Sequence, residues 1–252
     1  MTEQGAYIAL TILPLTAMLS MEPIKSSWGY KHGRRGILPA PPLPRELSER
    51  SERNSRCIRF LISGVQCLSV YYLARKYSVP AADIGLHLRR WPIFVAFGVV
   101  AGLMYLVYLR VMRAGGSRLA RKEVPYYTPE YLTHGSTSHW VLSNSASCFS
   151  EECWRAFCLV SLQQVHHGDM FAIVASSLAF ALYHFQMGGR GVLYEFGRLA
   201  SYAIFGVLFA ALFLLTHSIV PAYTGHLLVN LVALYRARSG VASADPALGS
   251  AA

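Results

Sequence analysis

The sequence predicts an all-α fold, a polytopic transmembrane helix bundle of about seven spans. Three observations lead to this fold class. The 252 residues are 54% hydrophobic and 14% charged, whereas soluble domains carry about 25% charged residues. Apolar segments of about 20 residues recur along the chain, as membrane-crossing helices require. Basic residues cluster beside these segments, which is the positive-inside pattern of membrane proteins.

Seven apolar segments are the predicted spans. They cover residues 5–21, 58–74, 91–112, 139–165, 170–185, 192–215 and 219–235. The first follows Glu3 and no Lys or Arg, so an uncleaved span is expected rather than a signal peptide, which begins with positive charge. In the third, Gly98 and Gly102 are four residues apart, a small-residue face that permits close helix packing, although glycine is also simply common in membrane helices.

The connecting segments carry most of the net charge of +10. The linker at 22–56 is basic and rich in proline, with a short surface helix predicted near 45–56, and the loop at 113–137 is also basic. Because positive loops remain on the cytoplasmic side, these two segments are predicted there, with the N-terminus outside. No basic surface interleaved with aromatic residues is found, so nucleic acid is not an expected partner.

The fourth predicted span contains Glu151, Glu152 and Arg155. Ionisable groups at membrane depth cost roughly 2.5–3.5 kcal/mol each on insertion scales, so they usually face a protein interior or a wet cavity. One interpretation is a self-neutralising structural cluster. The other is a functional site, which the later spans favour.

Two later spans carry polar pairs at helical spacing. Phe180 precedes His184 by four residues, and His226 precedes Asn230 by four. Residues four apart lie on one helix face, so each pair can point together into the bundle. A single intramembrane histidine is often only a packing residue, but polar burial on three segments at once would be costly without a function.

These residue types suit hydrolysis of an amide by water. A buried carboxylate can take a proton from water, and a neutral histidine can hold the same water. A second histidine and an asparagine amide can stabilise the oxyanion of the tetrahedral intermediate. Arg155 would keep the neighbouring carboxylate ionised. A covalent nucleophile is not favoured, since Cys153, the nearest thiol, lies on a different helix face from Glu151.

The ordered motifs resemble those of the CAAX prenyl endopeptidases, a family of intramembrane proteases also called CPBP or ABI proteins. The family pattern is a di-glutamate followed by Arg, then Phe-x-x-x-His, then His-x-x-x-Asn. The likeness covers roughly residues 140–235. It implies a glutamate-dependent endopeptidase without metal or cofactor, in which Glu151 and His184 activate water. It further implies His226 and Asn230 as the oxyanion-stabilising pair, with support from Glu152, Arg155 and Phe180.

The first motif departs from the family pattern. Two residues, Cys153 and Trp154, separate the second glutamate from the arginine, where the family has three. One residue fewer rotates a helix by about 100°. Either Glu151 remains the base, or it takes the supporting role and Ser150 faces the site. Both alternatives stay open at this point.

The apolar segments and the resemblance together give the expected organisation, partners and location. Residues 1–57 are predicted to form the first span and linker, 58–137 two spans and a loop, 138–238 a catalytic core of four spans, and 239–252 a disordered tail. Expected partners are membrane lipids and a peptide or protein C-terminal substrate, which is prenylated for eukaryotic relatives. The expected location is the bacterial cell membrane, or the endoplasmic reticulum in a eukaryote.

Two other functions are weighed against the protease. The shortened first motif is compatible with a non-catalytic scaffold or an immunity-type membrane protein that retains the fold. A zinc protease could use Glu151, His184 and His226 as ligands. The chain contains no His-Glu-x-x-His motif, which argues against the zinc alternative.

Overall fold

A computed structural model describes residues 45–119, 137–166, 168–184 and 192–244. Within these ranges the secondary structure consists of α-helices without strands, which confirms the all-α fold class. The helices are α1 (Arg45–Lys76), α2 (Trp91–Leu119), α3 (Thr137–His166), α4 (Asp169–Tyr183), α5 (Val192–Thr216) and α6 (Ile219–Ala244).

Six of the predicted spans coincide with these helices, and two boundaries differ. The surface helix expected near 45–56 is continuous with the second span, so both belong to α1. At the other end, α6 extends to Ala244, so part of the tail predicted to be disordered is helical. The first predicted span, the linker at 22–44, most of the second basic loop and residues 245–252 lie outside the described residues.

Two of the described helices contain segments long and apolar enough to cross a membrane, Trp91–Met112 in α2 and Leu199–Thr216 in α5. Only 28% of each segment is buried inside the protein. Most of their apolar side chains therefore face outward, as on the exposed flank of α2 at Leu103, Met104 and Val107. An apolar surface of this extent is suited to lipid rather than water. The count of seven spans stays a prediction.

The third helix is the centre of the bundle. It packs against α1, α4, α5 and α6, and every residue from 150 to 162 is buried. The charged residues of this helix therefore lie in the protein interior, not against lipid. That location is the one in which a membrane protein tolerates ionisable groups.

The contact between α2 and α6 depends on small residues. Gly98 and Gly102 are buried against the start of α6, where a Cβ atom on Gly102 would lie 3.0 Å from the carbonyl oxygen of Gly225. A Cβ atom on Gly98 would meet the carbonyl oxygen of Pro221 and lie 2.8 Å from Cβ of Thr224. Both obstacles belong to the body of α6. The close approach of these helices therefore requires glycine at position 98.

We expect Gly98→Ala to destabilise the protein by about 1–3 kcal/mol, the usual cost of overpacking. Gly64→Ala is the matched control, because no atom of the described residues lies within 4 Å of the Cβ atom it would add to α1. Alanine in an exposed helix interior is favoured over glycine by roughly 0.5–1 kcal/mol, so the control should be neutral or stabilising. The free energy of unfolding of both variants in detergent micelles checks this, and equal stability of the two would contradict it.

Candidate active site

Glu151 lies between two imidazoles from different helices. Its Oε2 atom is 3.5 Å from Nε2 of His184, at the end of α4, and 3.8 Å from Nε2 of His226, on α6. Its Oε1 atom accepts a hydrogen bond of 2.9 Å from the hydroxyl of Ser147, one turn earlier on α3. The side chain of Glu151 is only 8% exposed. Three helices thus bring an acid and two imidazoles together around one carboxylate oxygen.

The hydrogen bonds of the two histidines fix their orientation. Nδ1 of His184 lies 2.9 Å from the carbonyl oxygen of Phe180, which can only accept, so Nδ1 carries the proton. Nδ1 of His226 lies 2.8 Å from Oε1 of Glu152 and donates to it for the same reason. In their neutral forms, both rings therefore turn the lone pair of Nε2 toward Glu151.

The spacing of these three atoms suits a bridging solvent molecule. Separations of 3.5 and 3.8 Å exceed the normal length of a hydrogen bond, which is about 2.7–3.2 Å. Within the described part of the chain, Oε2 of Glu151 is buried and has no hydrogen-bond partner. A water oxygen can contact this oxygen and an imidazole together, which is the arrangement that general-base catalysis through water requires.

Glu152 has a different environment from Glu151. Its Oε1 atom accepts hydrogen bonds of 2.8 Å from Nη2 of Arg155 and from Nδ1 of His226. The guanidinium carbon of Arg155 lies 4.1 Å from the ring centre of Phe180, and the arginine is 1% exposed. Glu152 is thus the carboxylate that orients His226, while Arg155 compensates its charge. The sequence left two rotations of this helix open. In the structure, Glu151 is the glutamate that faces Nε2 of both imidazoles.

Asn230 lies one turn after His226 on α6, and its amide contacts a thiol. Nδ2 donates a hydrogen bond of 3.2 Å to Sγ of Cys148, which is one turn before Glu151 on α3. A side-chain amide has two N–H groups, so this bond leaves a second donor. The structure therefore brings the predicted asparagine to the same α3–α6 contact as the histidine.

The comparison with protein families agrees with this arrangement. Residues 135–232 match the family model described as type II CAAX prenyl endopeptidase, Rce1-like. This segment is therefore similar to the CAAX prenyl endopeptidases. The match extends from just before α3 into α6 and includes all four residues predicted to be catalytic. Neither the curated proteins nor the solved structures compared with the chain gave a match.

Several contacts of the candidate site were not predicted from the sequence. Ser147 is four residues before Glu151, so its place on the same helix face could have been inferred. The ring of Tyr202 on α5 stacks on His184 with centroids 4.6 Å apart, and no local motif marks it. Gln66 also lacks a signal, because its contact with α3 spans 84 residues of sequence.

Among the described residues, no group of three or more His, Cys, Asp or Glu side chains is arranged to hold a metal ion. The described cysteines are unpaired, and Cys148, Cys153 and Cys158 are buried. Cys153 and Cys158 act as small apolar side chains that fill the core around α3, whereas Cys148 also accepts the hydrogen bond from Asn230.

Proposed function

We propose that this protein is an intramembrane endopeptidase that hydrolyses a peptide bond with a water molecule activated by Glu151 and His184. One observation carries the proposal. Oε2 of Glu151 lies within 3.8 Å of Nε2 of both His184 and His226 inside the protein core, and the opposite nitrogen of each ring is already engaged by a fixed acceptor.

The hydrolysis follows from these positions. The water oxygen bonds to the carbonyl carbon of the substrate while one of its protons passes to the carboxylate of Glu151. His184 accepts a hydrogen bond from the same water and fixes its direction of attack. When the tetrahedral intermediate collapses, the proton on Glu151 passes to the leaving nitrogen. The C–N bond then breaks, and the products are a carboxylic acid and an amine, which become a carboxylate and an ammonium group once the second water proton passes to the amine.

The negative charge that develops on the carbonyl oxygen needs hydrogen-bond donors. In its protonated form His226 donates from Nε2, and Glu152 stabilises that imidazolium through Nδ1. The second N–H of Asn230 is the other donor. Arg155 balances the charge of Glu152 through the same carboxylate oxygen that His226 contacts.

The proposed substrate is a protein with a lipidated C-terminal tail. Support comes from the family description, which names prenyl endopeptidases, and from the outward-facing apolar surfaces of α2 and α5. A substrate anchored in the bilayer by a prenyl group would reach a site buried among these helices by diffusion in the membrane. Membrane lipids are then the second partner, and the membrane is the place of reaction.

We expect His184→Ala and His226→Ala each to lower kcat for cleavage of a prenylated C-terminal peptide by about 10²–10⁴-fold, a range that covers general acid–base groups and oxyanion donors. The measurement uses protein purified in detergent and reconstituted in liposomes, with a fluorogenic peptide. His139→Ala, at an exposed position near the start of α3, is the matched control and should retain full activity. Full activity of both site variants would refute the proposal.

Two experiments separate the alternative functions from the proposed one. A zinc protease would lose activity after dialysis against a strong chelator and regain it with zinc, whereas the proposed mechanism predicts unchanged rates. A scaffold would retain its cellular phenotype in folded variants that lack both imidazoles. Loss of the phenotype together with loss of cleavage is the outcome expected of an enzyme.

A further inference from the structure

A buried glutamine on α1 connects the two helices that carry the proposed base and its histidine. Gln66 is 5% exposed and lies outside the matched segment 135–232. Its Oε1 atom accepts a hydrogen bond of 2.8 Å from the hydroxyl of Ser150 on α3. Its Nε2 atom donates a hydrogen bond of 3.2 Å to the hydroxyl of Tyr183 on α4. One amide therefore bridges two helices of the matched segment.

Both partners of this amide are direct neighbours of the reacting groups. Ser150 precedes Glu151, and Tyr183 precedes His184. The rings of Tyr183 and His184 also touch edge to face, with centroids 4.8 Å apart. A change in the position of either partner would consequently shift the carboxylate relative to the imidazole.

We infer that Gln66 is a positioning residue that sets the separation between Glu151 and His184. The inference rests on the proposed function, and it makes α1 a part of the catalytic unit instead of an accessory span. A buried amide is retained at low cost only when its polar atoms are hydrogen-bonded, and this one bonds to α3 on one side and α4 on the other. A misplacement of about 1 Å in such a site can cost roughly 10²-fold in rate.

The first test replaces the amide by an apolar side chain of similar length. We expect Gln66→Met to lower kcat about 10–100-fold, because the base and its histidine lose their common support, while KM changes by less than about twofold, because ground-state binding is untouched. Gln163→Met is the matched control. Gln163 donates a hydrogen bond of 2.6 Å to Asp169, where α3 ends and α4 begins. This hydrogen bond also joins α3 to α4, but neither residue is a neighbour of Glu151 or His184, so its loss should leave kcat unchanged.

A double-mutant cycle tests whether Gln66→Met lowers kcat by removing the hydrogen bonds to Ser150 and Tyr183. Ser150→Ala removes the donor to Gln66, and Tyr183→Phe removes the acceptor and keeps the ring. If these groups act as one unit, adding either substitution to Gln66→Met should produce no further loss of kcat. Losses that multiply independently, or a Gln66→Met variant with wild-type kcat, would overturn the inference.

A spectroscopic measurement keeps this inference separate from the proposed function. In protein labelled at the histidine rings, the NMR signals of His184, assigned by their absence in His184→Ala, report its surroundings whether or not a peptide is cleaved. We expect Gln66→Met to shift these signals and Gln163→Met to leave them in place. Unshifted His184 signals would overturn the positioning role. Shifted signals in a protein that cleaves no prenylated peptide would instead contradict the proposed function alone.

Discussion

Glu151→Gln should lower kcat for peptide cleavage by about 10⁴-fold, the upper end of the range for a general base. The substitution preserves the shape of the side chain and its contact with Ser147, but an amide cannot take a proton from water. Purified variant and wild type are compared with the same prenylated peptide in liposomes. An unchanged KM is expected, because the carboxylate acts on water and not on the bound substrate.

Glu152→Gln is the comparison that tests the division of roles between the two glutamates. Its remaining oxygen can still accept from Nδ1 of His226 and from Arg155. Because both donors keep their acceptor, this variant should lose less activity than Glu151→Gln and retain measurable cleavage. An active Glu151→Gln beside an inactive Glu152→Gln would reverse the assignment.

Arg155→Met should strongly destabilise the protein. It leaves Glu152, with 1% of its side chain exposed, as a buried carboxylate whose cationic partner is lost. Breaking a buried ion pair in this way typically costs about 3–5 kcal/mol. The substitution also removes the guanidinium from the face of Phe180. Unfolding of the purified protein in detergent micelles, followed by circular dichroism, measures the loss.

The double variant Glu152→Gln/Arg155→Met is the control for this prediction. Replacing both partners removes the stranded charge, and such replacements of buried pairs are often neutral or even stabilising. We therefore expect the double variant to recover most of the stability lost in Arg155→Met, although not the cleavage activity. A double variant as unstable as the single one would mean that the guanidinium stabilises α3 by packing and not by charge.

The helices could be predicted from local pattern, and their exact limits could not. Runs of apolar residues near the length of a membrane span coincide with six described helices. The sequence predicts a short surface helix near 45–56 and a separate span at 58–74. The Arg and Glu residues of 45–56 are good helix formers. The helix therefore begins at Arg45 and continues without a break through the apolar segment. A change in polarity thus marks a change of solvent, not the end of a helix.

The candidate site, too, could be predicted only in part from the sequence. The spacing of four between His226 and Asn230 predicted a shared face, since this depends only on helix geometry. The choice between Glu151 and Glu152 depends on how α3 is rotated against α4 and α6, which a single sequence does not encode locally. The same holds for Gln66, whose partner Ser150 is 84 residues away. Long-range contacts of this kind leave no periodic signal.

The most direct test of water activation by Glu151 is the single-turnover rate of peptide cleavage with enzyme in excess, in liposomes. Wild type is compared with Glu151→Gln and with the triple variant that also carries His184→Ala and His226→Ala. Residues that act as one unit show strongly non-additive losses, so Glu151→Gln alone should fall nearly to the rate of the triple variant. A Glu151→Gln rate within about tenfold of wild type, far short of a general base's contribution, would contradict the mechanism.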